Sequence, residues 1–478
     1  MSTFSGLSTA LSSLIAQRQA LGVAGQNIAN ANTAGYTRQR ADLHSVASTA
    51  VASLHSTPLG AGSGVTVEGI TRMSDQFLDA RLRLQTAQSS DATAVATALT
   101  RLEGVVKEPS STGLASGLQE FWDAWQDVAN SPDSTATRTV AIGTATTLTT
   151  QIADTYRAFE SQWDQGRAEA DSLVSRVNAT AAAVAELNGQ IRGVLVSGGS
   201  AGELMDRRDS LITELSSMVG GTAKVLEDGT VNVMVAGNPL VQGDRASAIT
   251  VQGSSVMTAA TTEPPVAGDV VRLEWANGTP LNLSGGSLAG TVTSLQPGSL
   301  GGPIANAVSA INALATQVAG DVNALHSTGT TLAAPPDDTG IDFFSFAAGT
   351  PAALGLTVAV TDPAMVAAAA GGTGEFDGSL ADRISQLGEG ANGPDATWRA
   401  FVVDLGVATS AAERRAEVAE VSRASAENQQ LANSSVDIDE EMTNMLAYQR
   451  AYEGAARVLT AVDEMLDVLI NRTGIVGR

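Results

Sequence analysis

The last forty residues constrain the fold more than any other stretch. From Ile438 the chain carries a seven-residue apolar repeat. One line of it is Ile438, Met445, Tyr452, Leu459 and Leu466, and its companion is Tyr448, Ala455, Val462 and Leu469. Steps of three and four put both lines on one narrow helical stripe, the pattern of a coiled-coil seam. No proline breaks the run, and Gly454 is its one internal glycine. Asp437, Asp439, Glu440 and Glu441 crowd its start, where acids cap the helix and complement its dipole. Such a seam offers about two apolar residues per heptad, and a long helix of that kind is marginal without a partner.

The first thirty residues supply a partner. Leu7, Leu14, Leu21 and Ile28 recur every seven positions, with Phe4 and Leu11 on a companion line that Arg18 and Gly25 interrupt. The helix is expected to end in Asn30-Ala-Asn-Thr-Ala-Gly-Tyr36, because asparagine and glycine tolerate the left-handed backbone of helix ends. The two terminal helices are therefore expected to pair with each other, with other copies, or with both.

Between these ends the apolar period changes several times. Helices are expected over about 74–101, 118–130, a stretch running to 165, and 203–218. A further helix over 168–196 carries Leu173, Val177, Val184, Leu187, Ile191 and Val194 at heptad spacing. The period then drops to two. Alternating segments at 222–227 and 230–235 flank Asp228-Gly229, a strong hairpin signal. Strand-like sequence continues to about 302. Helix returns at Pro303, with Ile304, Val308, Ile311, Ala315, Val318, Val322 and Leu325 on one face. An irregular stretch to 395 holds Phe343-Phe-Ser-Phe346, and a last long helix covers 397–431.

The fold class that follows is mainly α with β insertions: a long helical coiled coil and bundle, terminal helices paired, with an inserted β-rich domain. The expected units are nested. Residues 1–45 with 433–478 form a terminal coiled-coil domain. Residues 46–220 with 303–329 and 396–432 form a helical bundle. Residues 221–302 form the β-rich insertion, and 330–395 a small irregular or β insertion.

Composition removes several classes of function. Hydrophobic residues are 43% and charged residues 16%, so the chain is not of disordered type. A net charge of −23 argues against a nucleic-acid backbone as partner. With no cysteine there is no disulfide, thiolate nucleophile or cysteine metal site. No apolar run approaches the roughly 18 residues of a membrane span. The N-terminus lacks the basic region and contiguous apolar core of a signal peptide, so export would need another signal.

Candidate chemistry is sparse. His44, His55 and His326 have no metal-ligand neighbour at helical spacing. The glycine-rich 60–64 precedes a strand instead of opening a helix, unlike a phosphate loop. Neither metal nor cofactor is expected, and the chain does not read as an enzyme. Trp122 and Trp125, three apart on a helix, read as core. Asp206, Arg207, Arg208 and Asp209 read as surface or inter-helix ion pairs, weak where exposed.

The two ends together carry a resemblance. Asn30-Ala-Asn-Thr-Ala-Gly-Tyr36 after a leucine-spaced helix resembles the N-terminal signature of flagellar axial proteins. Val436-Asp-Ile-Asp-Glu-Glu-Met442, Tyr448-Gln-Arg-Ala-Tyr452 and Ala456-Arg-Val-Leu459 resemble their C-terminal signature. Inside the chain, Val65-Thr-Val-Glu-Gly-Ile-Thr-Arg-Met-Ser-Asp-Gln-Phe-Leu78, Leu204-Met-Asp-Arg-Arg-Asp209, Asn323-Ala-Leu-His-Ser-Thr-Gly329 and Ala461-Val-Asp-Glu-Met-Leu466 are similar to the flagellar hook-associated protein 1 family. The resemblance is weakest over 246–302 and 330–395, segments then expected to face outward.

That resemblance implies a structural subunit of the bacterial flagellum at the junction of hook and filament. It implies unfolded export through the flagellar type III apparatus to an extracellular place of assembly. Its implied partners are other copies in a ring, the hook protein, the second junction protein next to the filament, and an export chaperone. Neither nucleic acid nor a membrane is among them. Assembly would fall to Leu7, Leu14, Leu21, Ile28, Asn30, Asn32, Thr33, Gly35 and Tyr36 at one end. At the other it would fall to Met445, Tyr448, Tyr452, Leu459, Val462, Leu466 and Leu469, the stripe also open to the chaperone. On this view the stripe is unfilled in the monomer and completed in the tube. A hook or distal rod protein is the nearest alternative, disfavoured by the 204–209 and 323–329 motifs. A secreted enzyme or adhesin borrowing such termini would have to carry its activity in 222–395.

Overall fold

The computed structural model describes residues 3–47, 62–332, 340–371 and 373–472. His55, the first half of the 60–64 glycine stretch and the side chain of Phe4 lie outside what is described. Helix α1 (Thr3–Ala29) leads into an antiparallel pair of strands, β1 (Gln39–Ser45) and β2 (Val65–Arg72), with Gln39 opposite Arg72 and Ser45 opposite Val65. Four helices follow: α2 (Gln76–Val106), α3 (Leu114–Asn130), α4 (Thr135–Val196) and α5 (Gly202–Val219).

Helix α4 is the spine. Its 62 residues span about 90 Å at 1.5 Å per residue. The expected interruption between 165 and 168 is absent. Gly166 sits inside the helix, where a Cβ would lie 3.1 Å from Leu295 Cδ2. That glycine admits a neighbouring side chain and does not end the helix.

The β insertion packs on α4, where the Asn178 and Asn188 amides donate to its Ile249 and Val231 carbonyls. Strands β3 (Thr222–Val225), β4 (Val231–Val235), β5 (Asn238–Gln242) and β6 (Arg245–Ala246) form a four-stranded antiparallel sheet in sequence order. The Asp228-Gly229 turn appears as expected. Gly229 has φ +79, and Asp228 Oδ1 accepts from the Thr230 N–H at 3.0 Å. Strand β7 (Ile249–Gln252), a short α6 (Met257–Ala260), β8 (Arg272–Trp275) and β9 (Pro280–Leu281) complete the insertion, the three strands forming a second sheet.

The strand-like reading stops short of 302, because Ser287–Ser294 is a helix, α7. Leu288 and Leu295 are fully buried there, and the Thr291 and Thr293 hydroxyls donate to carbonyls four residues back. Burial outweighs the strand preference of threonine and valine at this place. Gly286 opens α7 at φ +89, and a Cβ on it would lie 2.5 Å from the Met218 carbonyl.

Helix α8 (Pro303–His326) carries the expected apolar face: Ile304, Ile311, Ala315, Val318 and Val322 are all buried. The described part of 330–395 contains β10 (Gly329–Thr330), β11 (Phe344–Phe346), α9 (Ala352–Gly355), β12 (Leu356–Val358), β13 (Ala369–Ala370) and α10 (Ser379–Ser385). Its anchor to the bundle is aromatic. Phe343 and Phe344 pack against Phe121 at ring separations of 6.3 and 5.8 Å. Leu356, Val366, Leu380 and Ile384 join the same core as Trp122, Trp125, Phe159 and Trp163. Trp122 and Trp125 are core residues, as read.

Helix α11 (Pro394–Ser434) runs antiparallel to α2. Thr100 meets Glu413, Ser89 meets Glu420 and Arg81 meets Gln429. Helix α12 (Ile438–Asp467) then turns back along α1 and ends in a π turn over Val468–Arg472. Gly6 faces Val462 and Tyr448 packs on the Ala20–Val23 region, so the terminal helices pair antiparallel within one chain.

The α1 side of this pairing is not the leucine line. Its buried residues are Ala10, Ala16, Ala20, Val23, Ala24 and Asn27, whereas Leu7, Leu14, Leu21 and Ile28 are half-buried. Alanine lets the helix backbones approach and pushes the longer leucines to the flank. On α12 the expected register holds for Ala455 and Val462, which are buried, and for half-buried Met445, Tyr448, Leu459 and Leu466. Tyr452 and Leu469 are exposed. The stripe is therefore partly filled by the chain's own α1.

Candidate functional site

The chain ends meet each other and the bundle in one polar knot. It begins at the end of α1. The Asn27 amide donates to the Gln39 carbonyl at 2.8 Å, while its oxygen accepts from the Gln39 N–H and the Tyr36 hydroxyl, each at 2.9 Å. One buried side chain thus satisfies the start of β1 and the turn that precedes it. Within that turn Thr33 Oγ1 donates to Asn30 Oδ1 at 3.2 Å, the Tyr36 N–H donates to the Thr33 carbonyl, and Gly35 has φ +77. Asn32 is exposed. The phenol of Tyr36 is pushed up to about 12 by burial, with Asp206 and Glu203 adding to the effect, so it stays a neutral donor.

From Thr37 the knot reaches α5. The Thr37 N–H donates to Asp206 Oδ2 at 3.2 Å, and Arg72 Nε donates to Asp206 Oδ1 at 2.9 Å. The Arg72 Nη2 also meets Asp209 Oδ2 at 2.9 Å and Thr37 Oγ1 at 3.2 Å. Burial pulls the Arg72 guanidinium down, but the charges of Asp209 and Asp206 outweigh it and the net direction is up. Burial raises the Asp206 carboxyl above its ordinary value, against the pull of Arg72 and Thr37. The 206–209 motif, read as surface or inter-helix ion pairs, takes the second form: Arg83 on α2 meets Asp209 on α5 at 3.6 Å. Only Arg207 is exposed, whereas Asp206 is 8% and Arg208 2% exposed. Arg208 turns inward, donating to the Gly229 carbonyl and to Asn188 Oδ1.

Arg38 closes the knot on the C-terminal side. Its Nε donates to Glu441 Oε1 at 2.7 Å, and its two Nη groups grip Glu440 at 3.0 and 2.8 Å. Hydrogen bonding to Glu440 raises Arg38, and Arg38 in turn holds the Glu440 carboxyl below its ordinary range. Backbone bonds from Arg38 to Ser434 and from Met73 to Arg38 fix the register. The acids at the start of α12 therefore do more than complement a dipole. Asp437 caps the helix, while Glu440 and Glu441 bind a residue 402 and 403 positions away.

Local sequence could place Asn30, Thr33, Gly35 and Tyr36 in one turn, and the structure does bring them together. It could not single out Arg38 or Arg72, or give Asp206 its partner, because those contacts span 134 to 403 positions; Asn27 bonds nearby Tyr36 and Gln39, but no motif marked it. The only sequence signal for Asp206 and Arg72 was their place in the 204–209 and 65–78 motifs.

Above the knot, α1 and α12 leave apolar side chains uncovered. Ile438, Met442, Leu446, Val458 and Met465 are exposed on α12. Leu11 and Ile15 are exposed on α1. Among the described residues no group of acids and histidines is arranged to hold a metal ion, and no helix is long and apolar enough to cross a membrane.

Comparison with known proteins gives a consistent likeness. The family model for the flagellar hook-associated protein FlgK helical domain matches residues 99–344. The model for the flagellar basal body rod FlgEFG protein C-terminal region matches 427–472, and that for the flagella basal body rod protein matches 7–37. Flagellar hook-associated protein 1 of Bacillus subtilis is 30% identical over 508 aligned positions, covering all of both chains. Its namesake in Escherichia coli is 33% identical over 294, covering 60% of this chain and 51% of that one. In three dimensions, the flagellar hook junction protein FlgK from Burkholderia pseudomallei matches with a TM-score of 0.61 at 14% identity. That match covers 76% of this chain and 100% of the other, and speaks to the fold alone.

Proposed function

The chain belongs to the flagellar hook-associated protein 1 family, and from that premise we propose that it is a structural subunit of the bacterial flagellum at the junction between hook and filament. The observation that carries the assembly mechanism is the meeting of both chain ends in one antiparallel pair, tied by Arg38 to Glu440 and Glu441. A subunit whose ends are locked together presents one composite surface to its neighbours. That surface consists of the flanks of α1 and α12, which burial by another copy would remove from water at about 25 cal/mol per Å².

In this reading the terminal pair forms the inner part of the assembly and 46–220 with 303–329 and 396–432 the bundle around it. The 221–302 and 330–395 insertions lie toward the outside. The partners are further copies in a ring, the hook protein below and the second junction protein above. The subunit is exported unfolded, and a chaperone covers the α12 stripe before assembly by helix-in-groove pairing. It acts outside the cell and performs no catalysis.

The test is electron microscopy of cells lacking the chain. Hooks without filaments, with filament protein shed into the medium, are the expected outcome. Intact filaments on such cells would overturn the reading.

A further inference from the structure

His326 ends α8 at a place where nothing in the assembly role calls for a histidine. It is 1% exposed, and its ring lies 6.1 Å from Trp125 and 5.4 Å from Phe343. Both ring nitrogens have backbone partners. Nδ1 lies 2.7 Å from the Ile341 carbonyl, and Nε2 lies 2.9 Å from the Ala367 N–H. A carbonyl can only accept and an N–H can only donate. The ring is therefore the neutral tautomer with its proton on Nδ1.

The Ala367 N–H is half of a peptide unit whose other half is also held by a basic side chain. The Val366 carbonyl accepts from Arg138 Nη1, and Arg138 is itself 1% exposed and anchored on the Pro132 carbonyl. One peptide plane is thus gripped at its oxygen by a cation and at its N–H by a neutral imidazole. Val366, Ala367 and Ala368 are buried against the bundle through that grip.

We propose that the peptide between Val366 and Ala367 is an acid-sensitive clamp, which releases the 363–371 segment from the bundle when His326 takes up a proton. The proton comes from water and lands on Nε2, the one acceptor of the ring. Two N–H groups then face each other 2.9 Å apart, and the bond is lost. Flipping the peptide to offer its carbonyl to the imidazolium would strip Arg138 of its acceptor. The charged groups facing the ring are Arg138 on α4, which opposes the added charge, and Asp342 beside Ile341, which favours it. Trp125 on α3 and Phe343 present only rings. Burial dominates and holds the imidazole below its ordinary value of 6.5.

The sign follows from linkage. A histidine whose folded pKa is depressed leaves the clamp at full strength above the free value. The clamp weakens as pH falls below about 6.5, because the open form then takes the proton more readily.

The test uses the full chain. Amide exchange at 366–370, corrected for intrinsic rates, is followed between about pH 7.5 and about pH 5 in the wild type and in His326→Gln. Protection at Ala367 is expected to fall by up to about thirtyfold in the wild type, a limit set by the ordinary histidine value. Protection in α4 and α8 should stay constant, and the glutamine variant should show no such pH dependence. Equal pH dependence in the two proteins, or none in the wild type, would overturn the clamp. Should the variant fail to fold, imidazole nitrogen shifts of the wild type decide. A proton on Nε2 near neutral pH, or a midpoint at or above the free value, would refute it.

Discussion

Asp206→Ala tests the knot where it docks on α5. The carboxylate accepts one bond from the Thr37 N–H and one from Arg72 Nε. Without it, Thr37, 6% exposed, keeps an unpaired N–H, and Arg72 retains only Asp209 and the Thr37 hydroxyl. A charge-assisted bond contributes about 1.5–3 kcal/mol, and an orphaned buried donor costs about 1–3 kcal/mol. Because Asp209 still compensates part of the Arg72 charge, the loss should sit well below the sum of the upper limits, at about 3 kcal/mol. At about 1.36 kcal/mol per tenfold, docking of the chain ends on α5 weakens by about two orders of magnitude. Amide exchange on the purified chain measures this directly. Protection at 36–45 and 65–73 should fall by about a hundredfold while α3, α4 and α8 are unchanged. Unchanged exchange at 36–45, or equal loss across the bundle, would refute the assignment of Asp206 to docking.

Three further outcomes are expected. Leu459→Pro breaks α12 in its interior at a cost of about 3 kcal/mol or more; filaments should disappear while bundle tryptophan fluorescence is unaltered, and filaments built by this mutant would sink the terminal-pair account. Trp125→Ala removes a fully buried ring and should lower bundle stability by about 3–5 kcal/mol, read as a fall in Tm that Asp206→Ala does not reproduce. Arg38 lowers the Glu440 carboxyl, so their pairing contributes fully above the ordinary glutamate value of 4.5 and is lost as pH falls through the lower folded value; exchange at the start of α12 should rise over that window in the wild type, and Arg38→Gln should flatten the response.

Much of the fold was legible because period encodes it. The α8 face from Ile304 to Val322, the Asp228-Gly229 hairpin and the Ala455–Val462 part of the α12 register follow from spacing and turn chemistry. Three features did not. Gly166 reads as a break until Leu295, 129 positions later, is found against it. The Ser287–Ser294 helix carries strand-favouring residues whose burial decides otherwise. The α1 seam is alanine, which carries too little hydrophobic signal to outweigh the leucines beside it. The candidate site was half legible. Asn30, Thr33, Gly35 and Tyr36 announce a turn through their own chemistry. Arg38, Arg72 and Asp206 gain their meaning only from partners that folding brings close, and no local pattern encodes a contact across 403 residues.

The claim that matters most is that other subunits cover the open flanks of α1 and α12 in the flagellum. The chain has no cysteine, so a single introduced thiol reports one place. Met442, 44% exposed on α12, is replaced by cysteine, with Val196, 84% exposed at the end of α4, as the outward control. Rates of labelling by a bulky maleimide are compared between the monomer and isolated flagella. Met442→Cys should label readily in the monomer and be protected after assembly, while Val196→Cys labels in both. Equal labelling of Met442→Cys in monomer and flagella would contradict it.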